Sequence, residues 1–292
     1  MKKLYEHLNL LYLISLMPLI IFGLYKNGFN LLIKNSITIF GALKPLLLLF
    51  MCIGGTLFST LIKEIIKRKK LSLKFIETVK KVIIEGILIS CILPIRSNPL
   101  IVFIIVFMVY LVFKDNKLFN RVALSSIVLF LVNMVLNLNI YENAHERLGN
   151  LNLNGVDLFV GNGVGGIYST SIILILVALF ILLKSNIYKK DIVFSSILMY
   201  VLLVGGYMMI MGTYGKIFIT LFSYNTIFIF TFIAPILESS SYTIKGQKVS
   251  GILIAIITFI FLLVDMPYIG ALVGIIFVGI IKQILDRAFT IK

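Results

Sequence analysis

Apolar segments recur along almost the whole chain. A hydrocarbon core of about 30 Å needs roughly 20 helical residues. Hydrophobic residues make up 60% of the chain and charged residues only 13%, against about 45–50% and 25% in soluble domains. The sequence therefore predicts an all-α integral membrane protein, a single domain over 1–292, whose transmembrane helices lie near 9–25, 36–62, 82–95, 99–113, 120–139, 166–183, 192–211, 215–236, 249–264 and 268–285.

The basic residues indicate the orientation of these ten helices. Loops rich in Lys and Arg are retained in the cytoplasm, and with the N-terminus inside, 21 of the 27 Lys and Arg residues fall on that side. We therefore expect both termini in the cytoplasm of a multi-pass protein in a bacterial-type plasma membrane. The bilayer accounts for the net charge of +15, so no nucleic-acid partner is expected.

Two apolar segments end in a proline followed by polar residues, ILPIRSNP at 92–99 and IAPILESSSY at 233–242. Ten helices divide into five and five, and an odd number per half inserts the second half upside down. We predict inverted repeats of the urea-transporter type, with a first repeat at about 1–139, an outer loop at 140–165 and a second repeat at about 166–292. Paired breaks of this kind indicate a site near the bilayer midplane, which would be framed by Pro94, Arg96, Asn98, Pro235 and Glu238.

Three charged residues have two interpretations each. Glu85 lies about four residues into the third segment, where an ionised carboxylate costs roughly 2.5–3.5 kcal/mol on insertion scales. It is either a functional contact or an interfacial charge beside two preceding lysines. Glu238 either belongs to the site or caps the membrane exit. Lys44 either marks a polar lining or extends its side chain to the near interface.

A glycine-rich run, GNGVGGIYSTS at 161–171, leads into the sixth segment. Exposed backbone N–H groups at a helix start bind phosphate or other anions, and a helix-capping turn would use the same residues. We treat this run as a candidate cofactor-binding segment, with the residues Gly165, Gly166, Ser169, Thr170 and Ser171. His145 has no second His or Cys nearby, so no metal site is predicted, and no residue is assigned as catalytic.

Four stretches resemble the RnfD/NqrB family in the same order. They are EGILISCILPIRSNPLIVFIIVFMVYLVFK at 85–114, DLFVGNGVGGIYSTSIILILVALFILLKSNI at 157–187, FIFTFIAPILESSSYTIKGQKVSGILIAIITFIFLL at 228–263 and FVGIIKQILDR at 277–287. The family's patterns at the first three places are E-G followed by L-P-P-x-x-P, then D-x-F-x-G-x-x-x-G-S-x-G-E-T-S, then F-M-A-T-D-P-V. Its members are membrane subunits of Rnf and sodium-pumping NADH:quinone oxidoreductase complexes.

The chain departs from the family at two functional places. Members with covalent FMN attach it to the threonine of an S-x-A-T segment, and the corresponding ERLGNLNLNGVD at 146–157 contains no threonine. The acidic residue of M-A-T-D-P is replaced by Ala234. The resemblance therefore implies non-covalent FMN or riboflavin, or a quinone, in place of covalent flavin.

We expect a divergent, shortened RnfD-like subunit that moves electrons across or along the membrane, with Na⁺ or H⁺ translocation as a coupled activity. Implied partners are other membrane subunits of a redox complex and an extracytoplasmic flavoprotein. The alternative is a urea-transporter-type channel for a small polar solute, because five-helix inverted repeats with proline breaks also describe that class.

Overall fold

The computed structural model describes residues 2–33, 37–66, 73–113, 119–136, 155–161, 163, 165–236 and 240–289. Every regular element in these ranges is helical, which confirms the all-α prediction. The predicted outer loop at 140–165 and Glu238 lie largely or wholly outside the described residues.

The α-helices are α1 (Lys2–Leu24), α2 (Asn30–Ile33), α3 (Ile39–Ile66), α4 (Leu73–Ile92), α5 (Pro99–Val112), α6 (Arg121–Val135), α7 (Gly155–Val160), α8 (Ile172–Leu182), α9 (Lys190–Ile210), α10 (Ile217–Phe222), α11 (Thr226–Phe228), α12 (Ile244–Leu262) and α13 (Pro267–Phe289). A π-helical turn at Tyr25–Phe29 joins α1 to α2, and a second at Ile229–Ile233 continues α11. A 3₁₀ turn at Tyr214–Lys216 precedes α10.

Five membrane-crossing helices stand out by length and composition among the described residues: Leu4–Ile33, Ile39–Ile66, Lys190–Ile210, Ile244–Leu262 and Pro267–Phe289. A bent pair, Tyr214–Phe222 and Thr226–Ile233, makes a sixth if it counts as one span. The protein is thus a multi-pass membrane protein. Ten crossings, inverted repeats and cytoplasmic termini stay predictions.

The helices pack mainly in two groups. In the first group α3 lies against both α4 and α5, and in the second α12 lies against both α9 and α13. In lipid, helices associate through close contact at small residues, since the acyl chains are as apolar as leucine. Gly55 of α3 meets the backbone of α5, and Gly251 of α12 meets that of α9, so a β-carbon at either place would crowd a backbone oxygen.

The segment predicted as one helix at 215–236 is interrupted. Its two parts, α10 and α11 with the second π-turn, meet at an angle of 50°. Tyr224 (φ 64°) and Asn225 (φ 59°) both adopt the left-handed conformation, which cannot continue a right-handed helix. This additional break places Asn225 in the protein interior, 5% exposed.

Candidate functional site

The first predicted break is present in the structure. α4 ends at Ile92, and α5 begins at Pro99 with Asn98 as its N-cap, whose side chain accepts a hydrogen bond from the Leu100 N–H at 3.0 Å. Proline suits this first helical position because its missing N–H would have no partner there. Ser97, in the turn between them, is buried and accepts a hydrogen bond from the Asn133 amide at 3.1 Å.

The glycine-rich segment closes the end of α4. The Ile167 N–H donates to the Leu93 carbonyl at 2.9 Å, and the Tyr168 N–H donates to the Cys91 carbonyl at 3.2 Å. Gly166 lies so close that any β-carbon there would overlap the Cys91 carbonyl oxygen. The last carbonyls of α4, which a helix end leaves without partners, are therefore bonded by a segment from the other half of the chain.

Asn225 completes this junction. Its Oδ1 accepts from the Gly166 N–H at 2.6 Å and from the Ser169 hydroxyl at 2.7 Å, and its Nδ2 donates to the Ile92 carbonyl at 3.4 Å. One side chain at the α10–α11 break thus joins the glycine-rich segment to the end of α4.

These contacts decide whether Gly165–Ser171 fits a flavin phosphate. Three successive N–H groups, from Gly166 to Tyr168, already donate to protein acceptors. Ser171 accepts from the Leu174 N–H as the N-cap of α8. Phosphate binding needs such donors to face the ligand, so the segment in this conformation does not fit a phosphate and acts as a capping turn.

Lys26 holds the same segment from α1. It lies in the first π-helical turn, and its Nζ donates to the carbonyls of Gly161 (2.5 Å) and Gly163 (3.1 Å) and to the Thr170 hydroxyl (3.3 Å). The neighbouring Asn27 donates to the Ile167 carbonyl at 2.7 Å. The π-turn therefore aims two consecutive polar side chains at one loop.

The second predicted break, at Ile233-Ala234-Pro235, is also buried. The carbonyls before it accept hydrogen bonds from three distant side chains, namely Tyr12 to Phe232 (3.3 Å), Asn120 to Ile233 (3.2 Å) and Tyr188 to Thr231 (2.7 Å). Burial raises the pKa of Tyr188 well above its ordinary value, so its hydroxyl keeps the proton that it donates. Both breaks are thus capped by elements remote in sequence.

Glu85 forms a buried ion pair with the start of α6. It is 5% exposed, and its two oxygens lie 3.0 and 3.3 Å from one guanidinium nitrogen of Arg121. The guanidinium carbon lies 4.8 Å from the centre of the Tyr110 ring, and Lys81 lies 3.6 Å from the carboxylate. Because Asn120, the N-cap of α6, bonds the Ile233 carbonyl, two consecutive residues at the start of this helix link Glu85 to the second break.

A cavity of about 100 Å³ adjoins this pair. It is lined by Tyr5, Leu8, Asn9 and Tyr12 of α1, by Lys81, Ile84, Glu85 and Leu88 of α4, and by Pro235 and Ile236. Sites for drug-sized ligands and cofactors measure about 300–1,000 Å³. The volume suits ordered water or a small ion, and Tyr5, Asn9, Tyr12 and Glu85 in the otherwise mostly apolar lining give such an occupant partners.

The structure brings together only some of the residues predicted to frame a site near the bilayer midplane. Glu85 and Pro235 line one cavity, whereas Pro94 is buried beside the Leu93 carbonyl that the glycine-rich segment caps. Arg96 and Asn98 are exposed and line a separate pocket with Lys44. Two centres result, one at Glu85 and one at the capped end of α4.

Sequence reasoning missed several polar residues of these centres. Arg121 was counted as a cytoplasmic loop charge and Lys26 as an outer one, so neither was assigned a buried partner. The polar run Ser223-Tyr224-Asn225-Thr226 inside an apolar segment was an available sign of the third break. Tyr12 and Tyr188 gave no such sign, because tyrosines are common at membrane interfaces.

A comparison with protein-family models matches almost the whole chain. A family model described as NQR2, RnfD, RnfE family matches residues 2–292, which confirms the resemblance seen in the four stretches. No curated protein matches the chain.

Proposed function

We propose, on the premise that the chain belongs to the NQR2, RnfD, RnfE family, that it moves electrons across or along the membrane and couples this to Na⁺ or H⁺ translocation. The family makes it a membrane subunit of an Rnf- or Nqr-type complex, for which other membrane subunits are the expected partners. Electron transfer, the flavin or quinone, an extracytoplasmic flavoprotein and the coupled ion are the parts that we add.

The Glu85–Arg121 pair is the observation that carries the coupling part. Ionisable residues at membrane depth are costly, and they mark ion and proton pathways when they face a polar cavity. Glu85 is buried and lines the cavity between α1, α4 and Pro235, to which Asn9 and Tyr12 add further polar groups. Arg121 holds the carboxylate, and Asn120 connects it to the second break.

The cavity at Glu85 is large enough for an ion but too small for a flavin or quinone. At about 100 Å³ it is smaller than known cofactor sites, which start at about 300 Å³. The capping contacts also leave Gly165–Ser171 unsuited to a flavin phosphate. We therefore assign ion coupling to the Glu85 cavity and place the flavin or quinone where the subunit meets its redox partners.

The test is purification of the intact complex from membranes, followed by an absorption spectrum, quinone-reductase turnover and ion uptake in proteoliposomes. We expect flavin absorbance in the complex, and we expect E85Q to lower ion uptake per electron while flavin content stays unchanged. K248Q, which alters an exposed lysine 3.9 Å from Asp191, is the matched control. A complex without flavin, quinone or redox turnover, or flux of a small polar solute through the subunit alone, would contradict the proposal and favour a channel.

A further inference from the structure

A second pocket lies beyond the end of α4 and holds two cations. It measures about 420 Å³ and is lined by Lys44, Arg96, Asn98, Pro99, Ile101 and Leu136. It shares no lining residue with the Glu85 cavity. We call it the Lys44–Arg96 pocket.

The two cations share one pocket without an acidic neighbour in the lining. Lys44 is half-buried in α3 and Arg96 is exposed after Pro94, and both side chains line this pocket. None of the described residues that line the pocket is acidic. Like charges held together favour an anion between them, since each cation is stabilised by an opposite charge within about 4–6 Å.

The pocket also supplies a neutral donor. The Asn98 side-chain oxygen accepts from the Leu100 N–H as the N-cap of α5, and this leaves the amide nitrogen as a donor. Arginine, lysine and an amide together form charge-assisted hydrogen bonds with phosphate oxygens. The chemistry of the lining therefore selects a phosphate group over a neutral solute.

The surroundings indicate a phosphate that carries acyl chains. Large apolar side chains face out of the bundle on all three helices beside the pocket, including Phe40 (81% exposed) on α3, Leu100 (66%) on α5 and Val135 (81%) on α6. Lys44 lies near the beginning of α3, at the level of a helix end, where phospholipid headgroups meet the protein. Basic side chains beside transmembrane helices bind anionic headgroups through charge-assisted hydrogen bonds to the phosphate oxygens.

We propose that the Lys44–Arg96 pocket binds the phosphodiester headgroup of an anionic phospholipid, whose acyl chains lie along α3, α5 and α6. This role is independent of electron transfer. It also explains two cations on the face where the loops are otherwise poor in basic residues.

The test is native mass spectrometry of delipidated protein titrated with phosphatidylglycerol, with phosphatidylcholine and inorganic phosphate as separate arms. We expect one tightly bound phosphatidylglycerol, with affinity reduced about fivefold by K44Q or R96Q and further in the double variant, as about 1 kcal/mol per cation implies. K216Q, an exposed lysine in the 3₁₀ turn before α10, should bind as the wild type does.

Four results would overturn the proposal. They are unchanged lipid binding in the double variant, an equal loss in K216Q, equal affinity for phosphatidylcholine, and inorganic phosphate that binds and displaces the lipid, which would indicate a free-phosphate site. R96Q alone decides the matter if K44Q fails to fold, because Arg96 is exposed outside any helix.

Discussion

At the scale of single residues, Glu85 and Arg121 form a buried ion pair. Their side chains are 7% and 9% exposed, and each charge is tolerated because the other is present. Removing one partner of a buried pair leaves an uncompensated charge, whereas removing both is often close to neutral. The sequence left Glu85 as either a functional contact or an interfacial charge, and it gave no sign of the partner 36 residues away.

We expect Glu85→Ala to lower the free energy of unfolding by about 3–5 kcal/mol, because the Arg121 guanidinium would stay buried without its carboxylate. The double variant E85Q/R121Q should recover most of this loss. Denaturation of the purified subunit in detergent, run as a double-mutant cycle, measures both. K248Q should change stability by less than about 1 kcal/mol, as expected for an exposed pair. Additive losses would show that the pair does not act as a unit.

Interrupted helices define the protein at the scale of its elements. Three helical elements end at a break: α4, α10 and the π-turn after α11. Groups distant in sequence bond the last carbonyls of α4 and those of the π-turn. Unsatisfied backbone groups cost several kcal/mol in a membrane, so each break depends on its cap. Proline marked two of the breaks in the sequence, whereas the third depends on the left-handed backbone of Tyr224 and Asn225.

Substitutions at Asn225 separate the cap from the backbone conformation. Asn225→Gly keeps the left-handed backbone but leaves the Gly166 N–H without its acceptor, which costs about 1–3 kcal/mol for a buried group. Asn225→Ala should cost about 1–2 kcal/mol more, since alanine disfavours positive φ. Thermal unfolding of both variants measures the difference, with Asn186→Gly at an exposed loop position as control. Equal stability of the glycine and alanine variants would argue against the left-handed break.

The arrangement of the whole molecule joins its two halves at both centres. Asn225, Ile167 and Tyr168 of the second half bond the end of α4, and Tyr12 and Asn120 of the first half bond the second break. Each half of the chain thus supplies hydrogen-bond donors to the interrupted helix of the other. The orientation in the membrane still rests on the distribution of basic residues.

Cysteine labelling tests that orientation. In a background with Cys52 and Cys91 replaced by alanine, a membrane-impermeant maleimide should label Lys216→Cys in intact cells. It should label Lys248→Cys only after permeabilisation, because the charge distribution places position 216 outside and position 248 inside. Both parent cysteines are buried, so the unmodified protein should react little and serves as the blank. The reverse pattern would invert the topology.

The sequence by itself determined the all-helical membrane class, both proline breaks and the family. These properties depend on composition and on which residues follow one another along the chain, and both can be read from the sequence directly. Only the tertiary structure decided that Arg121 partners Glu85, that Asn225 and the glycine-rich segment cap α4, and that Arg96 lies apart with Lys44. The bonded residues are between 36 and 133 positions apart, and helix packing, which brings them together, has no local sign in the sequence.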